Sequence, residues 1–108
     1  MKRLTMNMPE KTVNWNNDKN EWLKSERNIS FEEIIVAIAE QDKLIDIIQN
    51  NEKYIDQKIL VVEIDSYIYL CPFIENDNEI FLKTIYPSRK LTKIYLNNEG
   101  DLKNGKKD

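Results

Sequence analysis

The chain contains no histidine, one cysteine and no long apolar run, and each shortage removes a class of function. Histidine is the usual general base near neutral pH and the commonest transition-metal ligand, so its absence excludes Ser-His-Asp and Cys-His nucleophiles. A single cysteine without histidine leaves only carboxylates as further protein ligands, a set suited to harder ions than zinc. No metal site and no cofactor are expected. Cys71 lies inside an apolar run with no second thiol to pair with, so it reads as a small core residue, and the compartment need not be oxidising. The apolar residues fall in short clusters, none long enough to cross a bilayer. Basic residues Lys2 and Arg3 are not followed by the apolar stretch of a secretory signal. The expectation is a soluble, cytoplasmic protein without a membrane partner.

What is present is enough for one hydrophobic core and too little for two, since 108 residues is near the usual size of a single domain. Residues 1–11 hold three methionines and Pro9 without a consistent period and read as a flexible arm. Residues 97–108 are polar, carry both glycines and read as a disordered tail. Residues 12–96 are left as the folded domain. The net charge of −3 hides a segregation: residues 1–30 carry 6 basic and 4 acidic groups, residues 31–82 carry 3 and 12, and residues 83–108 carry 7 and 3. An acidic middle beside a basic end can offer one face to a polyanion and another to a cationic partner, or the charge can be no more than solvated surface.

The local patterns predict an α+β domain. Thr12–Trp15 makes a short strand, followed by a helix capped by Asn16 or Asn17 and running to Lys24, with Trp22 and Leu23 facing inward. Ser30 and Glu33 form a capping box, and Phe31, Ile34, Ile35 and Ile38 follow the helical stripe, so a helix spans Ser30 to about Glu40. Leu44–Ile48 is too short to assign to strand or helix, and Gln49–Lys53 reads as a loop. Ile59–Ile64, Tyr67–Cys71 and Ile80–Tyr86 then alternate as an antiparallel meander, with Asp65-Ser66 as a two-residue connection. Pro72 lacks a backbone donor and marks a bulge or the end of pairing. Pro87-Ser88 stops the third strand and caps a short helix on which Leu91, Ile94 and Tyr95 share a face. The sheet is expected to pack between or beneath helices.

The basic residues near the end are placed by these periods. Lys83 faces away from Leu82, while Arg89, Lys90 and Lys93 occupy the first turns of the last helix beside Ser88. Lysine and arginine on such a turn grip phosphate oxygens, with the free helix N–H groups adding donors. Cleaving RNA without a metal requires positioning the ribose 2′-hydroxyl, neutralising the phosphorane and protonating the leaving oxygen. Cations perform the second task; a lysine, a tyrosine or a carboxylate performs the others, and the sequence does not choose among them. A capped amphipathic helix with an outer basic face is also commonplace without any function. Glu63 and Asp65 are cross-strand partners before they are bases, and Tyr67, Tyr69 and Tyr86 are core or rim residues before they are stacking platforms.

Two stretches carry a resemblance. Trp15-Asn16-Asn17-Asp18-Lys19-Asn20, continuing through Arg27-Asn28 to Ile29-Ser30-Phe31-Glu32-Glu33, resembles the opening of BrnT-like toxins. Ile85-Tyr86-Pro87-Ser88-Arg89-Lys90-Leu91-Thr92-Lys93 is similar to the stretch that closes that family's sheet and starts its last helix. Together they cover about residues 13–96. The resemblance implies a RelE-like α+β fold and a bacterial, metal-independent endoribonuclease that arrests growth, acting on RNA that is free or ribosome-associated. It also implies neutralisation by a ribbon-helix-helix antitoxin of the CopG/BrnA type, through which alone the toxin would meet DNA. A basic antitoxin segment lying on residues 31–82 and an acidic one covering the basic end both fit the charge. Carried over by position, Arg89 and Lys90 match the family's basic residues there and Arg27 stands at its histidine; with Lys83 and Lys93 from the basic pattern, the expected catalytic set is Arg89, Lys93, Lys83 and Arg27, with Ser88 and Lys90 as phosphate contacts. The chain has Glu26-Arg27-Asn28 where the family has Lys-His-Gly. Arg27 binds phosphate but does not cycle a proton near neutral pH, and Asn28 tolerates the left-handed turn that glycine would make. The reading from a different class is a non-catalytic module that binds the antitoxin and tunes its repression of DNA.

Overall fold

The computed structural model describes residues 11–49 and 57–96. The expected arm (apart from Lys11), the tail and most of the expected 49–53 loop lie outside the described residues. The elements run β1 (Thr12–Trp15), α1 (Asn17–Arg27), α2 (Phe31–Ala39), β2 (Leu44–Gln49), β3 (Lys58–Ile64), β4 (Tyr67–Glu75), β5 (Glu79–Leu82), β6 (Tyr86–Pro87) and α3 (Arg89–Tyr95). The fold is α+β, as the sequence predicts.

Helix starts are set by their caps. The side chain of Asn16 accepts from Lys19 N–H at 2.8 Å and that of Ser30 from Glu33 N–H at 3.2 Å. Between the two helices Asn28 takes φ 56° and ψ 40°, the left-handed turn its side chain tolerates. Asn20 is buried and does two jobs: its Oδ1 accepts the Phe31 N–H at 2.8 Å, and its Nδ2 donates to Glu32 Oε1 at 2.9 Å. A first-turn N–H of α2 that the helix itself leaves unpaired is thereby satisfied. The same bond from Asn20 is the main cause that lowers the Glu32 pKa from its ordinary 4.5. Because the folded value is the lower one, the contribution of Glu32 to stability is present above about pH 4.5 and is lost as the pH falls through the folded value. In Asn20→Ala the Glu32 carboxyl should titrate nearer its ordinary value, as read by carboxyl-carbon NMR against pH, and the acid limb of unfolding should begin at higher pH.

The six strands form one sheet in the order β1-β5-β4-β3-β2, with β6 also pairing β4. The predicted meander is its centre, β3-β4-β5 antiparallel. The β3–β4 turn puts Asp65 and Ser66 at φ 54° and 64°, the double left-handed geometry of a two-residue hairpin loop. Two strands go beyond what the pattern assigns: β2, which pairs β3 across an irregularity between Leu44 and Asp46, and β6. The third predicted strand, Ile80–Tyr86, is broken after Leu82 and resumes at Tyr86. β1 lies parallel to β5, a contact between distant parts of the chain.

Pro72 sits where β4 changes neighbour on that side from β6 to β5, and on the other side β4 is paired with β3 from Tyr67 to Phe73. The Pro72 carbonyl accepts from Lys83 N–H at 2.8 Å, so the missing Pro72 donor also faces the β5–β6 break rather than the β3 ladder.

Both faces of the central strands are covered. Leu60, Val62, Cys71, Phe73, Ile80 and Leu82 meet Leu23, Phe31, Ile34 and Ile38 from α1 and α2. Trp15 stacks on Phe31 with ring centroids 5.5 Å apart. On the opposite face Ile59, Val61, Ile68 and Leu70 lie under Leu91 and Leu96. The apolar run Ile59–Val62 is therefore a strand buried on both sides. Cys71 is a core residue, and burial pushes its thiol pKa up, which keeps it protonated and unreactive.

Trp22 does not face inward. It is 42% exposed, with the Lys19 ammonium 4.4 Å and the Arg27 guanidinium 4.8 Å from its ring centroid. Leu23 alone carries that turn of α1 into the core.

Candidate nucleic-acid interface

The basic cluster expected at the last helix depends on how α3 is fixed to the sheet. Ser88 is its N-cap: its Oγ accepts from Leu91 N–H at 3.1 Å. The Ser88 N–H donates to the Ile68 carbonyl at 2.9 Å, and the Ile68 N–H donates to Thr92 Oγ1 at 2.9 Å. The Thr92 hydroxyl in turn donates to the Ser88 carbonyl at 2.7 Å. Both backbone groups of Ile68 that face away from β3 are thus satisfied by α3 where no strand pairs them. The helix ends on the same side of the sheet, where Tyr95 Oη donates to Asp46 Oδ2 at 3.3 Å. Burial and the Asp46 charge both raise the Tyr95 pKa, as burial with the charges of Asp65 and Glu33 raises that of Tyr69. Both phenols are held in the protonated form.

The expected apolar stripe of α3 is corrected by this docking. Ile94 and Tyr95 are 48% and 39% exposed, while the buried position is Thr92, flanked by Leu91 and Leu96. A seven-residue helix held by side-chain-to-backbone bonds needs less apolar contact than its period suggests.

Arg89, Lys90 and Lys93 are exposed on this helix and have no ion pair, hydrogen bond or ring contact among the described residues. Every other described cation has one. Lys11 and Lys58 pair with Glu75, Lys24 with Glu21 and Lys43 with Glu63, while Lys19 and Arg27 sit over Trp22. Lys83 lies over the Phe81 ring, 5.4 Å from its centroid. Phe81 pairs in register with Ile74, which shares a strand face with Leu70 beneath α3, so Lys83 is on the α3 side of the sheet. The free positive charge of the described chain is therefore gathered on one helix.

Arg27 does not join it. Its Nη1 donates to the Ile85 carbonyl at 2.6 Å, in the unpaired stretch between β5 and β6, and its guanidinium covers Trp22. It lines a cleft of about 500 Å³ on the other side of the sheet, with Glu32, Glu33, Asp65 and Tyr69 among the walls. Three carboxylates against one guanidinium make that cleft unsuited to a polyanion. Ser88 spends its oxygen on the cap, and α3 is too short to attract phosphate by its dipole, so what this helix offers an anion is its side chains.

Sequence reasoning missed Thr92 and Asn20. The Ser88-x-x-x-Thr92 spacing is the one local hint of Thr92, whereas Asn20 resembles any polar residue on an exposed helix. Among the described residues no group of His, Cys, Asp and Glu is placed to hold a metal ion, and no helix is long and apolar enough to cross a membrane. No family model, no curated protein and no solved structure matches this chain.

Proposed function

We propose that the chain binds RNA, with Arg89, Lys90 and Lys93 of α3 holding phosphate groups and Lys83 adding charge on the same side of the sheet. The observation that carries this reading is the gathering of the unpartnered cations on α3. Two of them, Arg89 and Lys90, occupy the first helical turn, where no acidic residue is present. In so short a helix, positive charge in the first turn gains nothing from the helix dipole and has no acidic neighbour there to offset. These residues therefore do nothing for the fold, and their value lies in what they contact outside it.

The resemblance of the two flanking stretches extends the proposal to a cytoplasmic RNA-cleaving toxin restrained by a ribbon-helix-helix antitoxin. One observation favours the second reading, a binding module without turnover. Arg27, the position that would have been histidine in that family, is committed to Ile85 and Trp22 on the far side of the sheet from α3. The acid–base contact found at α3 among the described residues, the Tyr95 hydroxyl on Asp46, lies at the opposite end of the helix from Arg89 and Lys90.

The purified protein and Arg89→Ala, both checked for folding by circular dichroism, are incubated with free RNA in EDTA and, separately, with ribosomes in magnesium buffer. If the wild type cleaves and the variant is at least about ten-fold slower, the toxin reading holds. Binding without cleavage selects the module. Neither binding nor cleavage overturns the proposal as a whole.

A further inference from the structure

The sheet face that carries α3 is covered only over part of its width. Beyond Leu70, the same face of β4 continues to Ile74, which is 37% exposed, and Ile74 pairs with Phe81, itself only partly buried. Asn14 of β1 lies beside Phe81 in register and is tied to Glu79. The Lys83 ammonium lies over the Phe81 ring, 5.4 Å from its centroid. A partly exposed aromatic ring beside the exposed Ile74, with a cation over it and further cations along the same face, has the chemistry of a stacking platform.

We infer that Phe81, flanked by Lys83, is a stacking site for one unpaired base of a single-stranded RNA whose phosphates run along α3. This rests on the RNA-binding reading above and adds to it the substrate class. The spacing is compatible with one continuous strand of nucleic acid. Ile74 and Leu70 are four residues apart on β4, so the ring lies roughly 13 Å along the sheet from the residues beneath α3. In this arrangement Lys83 leaves the ring for a phosphate when the base arrives, so charge and π-face are both used. Duplex RNA keeps its bases stacked inside the helix, so it can meet the α3 cations but not the ring. Charge complementarity asks for a polyanion, since an apolar protein segment would gain from Phe81 and Ile74 but leave the cations unused, and the ring is what favours one with unpaired bases.

The test compares full-length wild type, Phe81→Leu, Phe81→Trp and the triple variant Arg89→Gln, Lys90→Gln, Lys93→Gln. Binding of a labelled single-stranded oligouridylate of about 12 nucleotides, and of a duplex of the same length, is followed by fluorescence anisotropy. Leucine keeps the apolar bulk, and matched thermal melts exclude a folding defect. The expected result is that Phe81→Leu weakens single-strand binding by about ten-fold and leaves duplex binding unchanged, with Phe81→Trp restoring the former. Equal loss for both probes, or no loss for either, overturns the stacking site. If the triple variant still loses both probes in that case, the RNA-binding reading survives without it; if wild type binds neither probe, both fall.

Discussion

Replacing Arg89, Lys90 and Lys93 together by glutamine is expected to weaken single-stranded RNA binding by about 100-fold near 0.15 M salt, from about 1 kcal/mol for each lost phosphate contact. The dependence on salt decides whether those contacts are what was lost. Each phosphate neutralised by a cation contributes about −0.7 to the slope of log affinity against log salt for a single strand, so removal of three contacts should make the slope shallower by about 2. A loss of affinity with an unchanged slope would mean that the helix had been disturbed instead. The fold gives no reason to expect that, because these side chains are exposed and unpartnered among the described residues. The triple variant should therefore melt at the same temperature as wild type. Binding and stability are thereby predicted to move independently, the signature of residues kept for a contact outside the fold.

What the sequence revealed of this molecule depended on how local the determining interaction was. The cap of α2 and its apolar stripe lie within one segment, and the helix is where the pattern places it. The β3–β4 hairpin is equally local, because its turn and the alternation on either side occupy one stretch. β2 is ambiguous in the sequence because its apolar stretch is too short to tell strand from helix; pairing with β3, across an irregularity, makes it a strand. The exposure of Trp22 is hidden for a different reason. A large aromatic ring is read as core by its type, yet two neighbouring cations stabilise it at the surface.

The candidate site divides along the same line. The α3 cations are legible because outward-facing charge on a capped helix follows from helix geometry alone. Arg27 is not, because its partner, the Ile85 carbonyl, is 58 residues away and exists only because β5 breaks before β6. A resemblance by position groups Arg27 with Arg89; folding gives it a structural bond on the opposite side of the sheet. Membership in a motif assigns a residue type to a position, and the partners available there assign its work.

Thr92→Val is expected to cost about 1–3 kcal/mol of stability, although valine matches threonine in shape and is itself apolar. The reason is that the hydroxyl is the partner of two backbone groups at once. It accepts from the N–H of Ile68, which is fully buried, and donates to the Ser88 carbonyl. Valine leaves that N–H without a partner, and the penalty is the desolvation of a buried donor rather than the loss of one modest bond. Thr92→Ser keeps the hydroxyl and loses one methyl group, so it should recover most of the stability, with a residual cost of about 1 kcal/mol or less. The pair of variants also tests whether the cations depend on the anchor. If α3 frays when its tie to Ile68 is cut, the exchange of the Leu91 and Thr92 amides, which are bonded to Ser88, should rise sharply in Thr92→Val and hardly at all in Thr92→Ser. RNA affinity should follow the same order, because cations on a frayed helix must be ordered on binding and the entropy of ordering is taken from the affinity. A valine variant with native stability and native amide protection would mean that α3 is held by Leu91 and Leu96 packing alone.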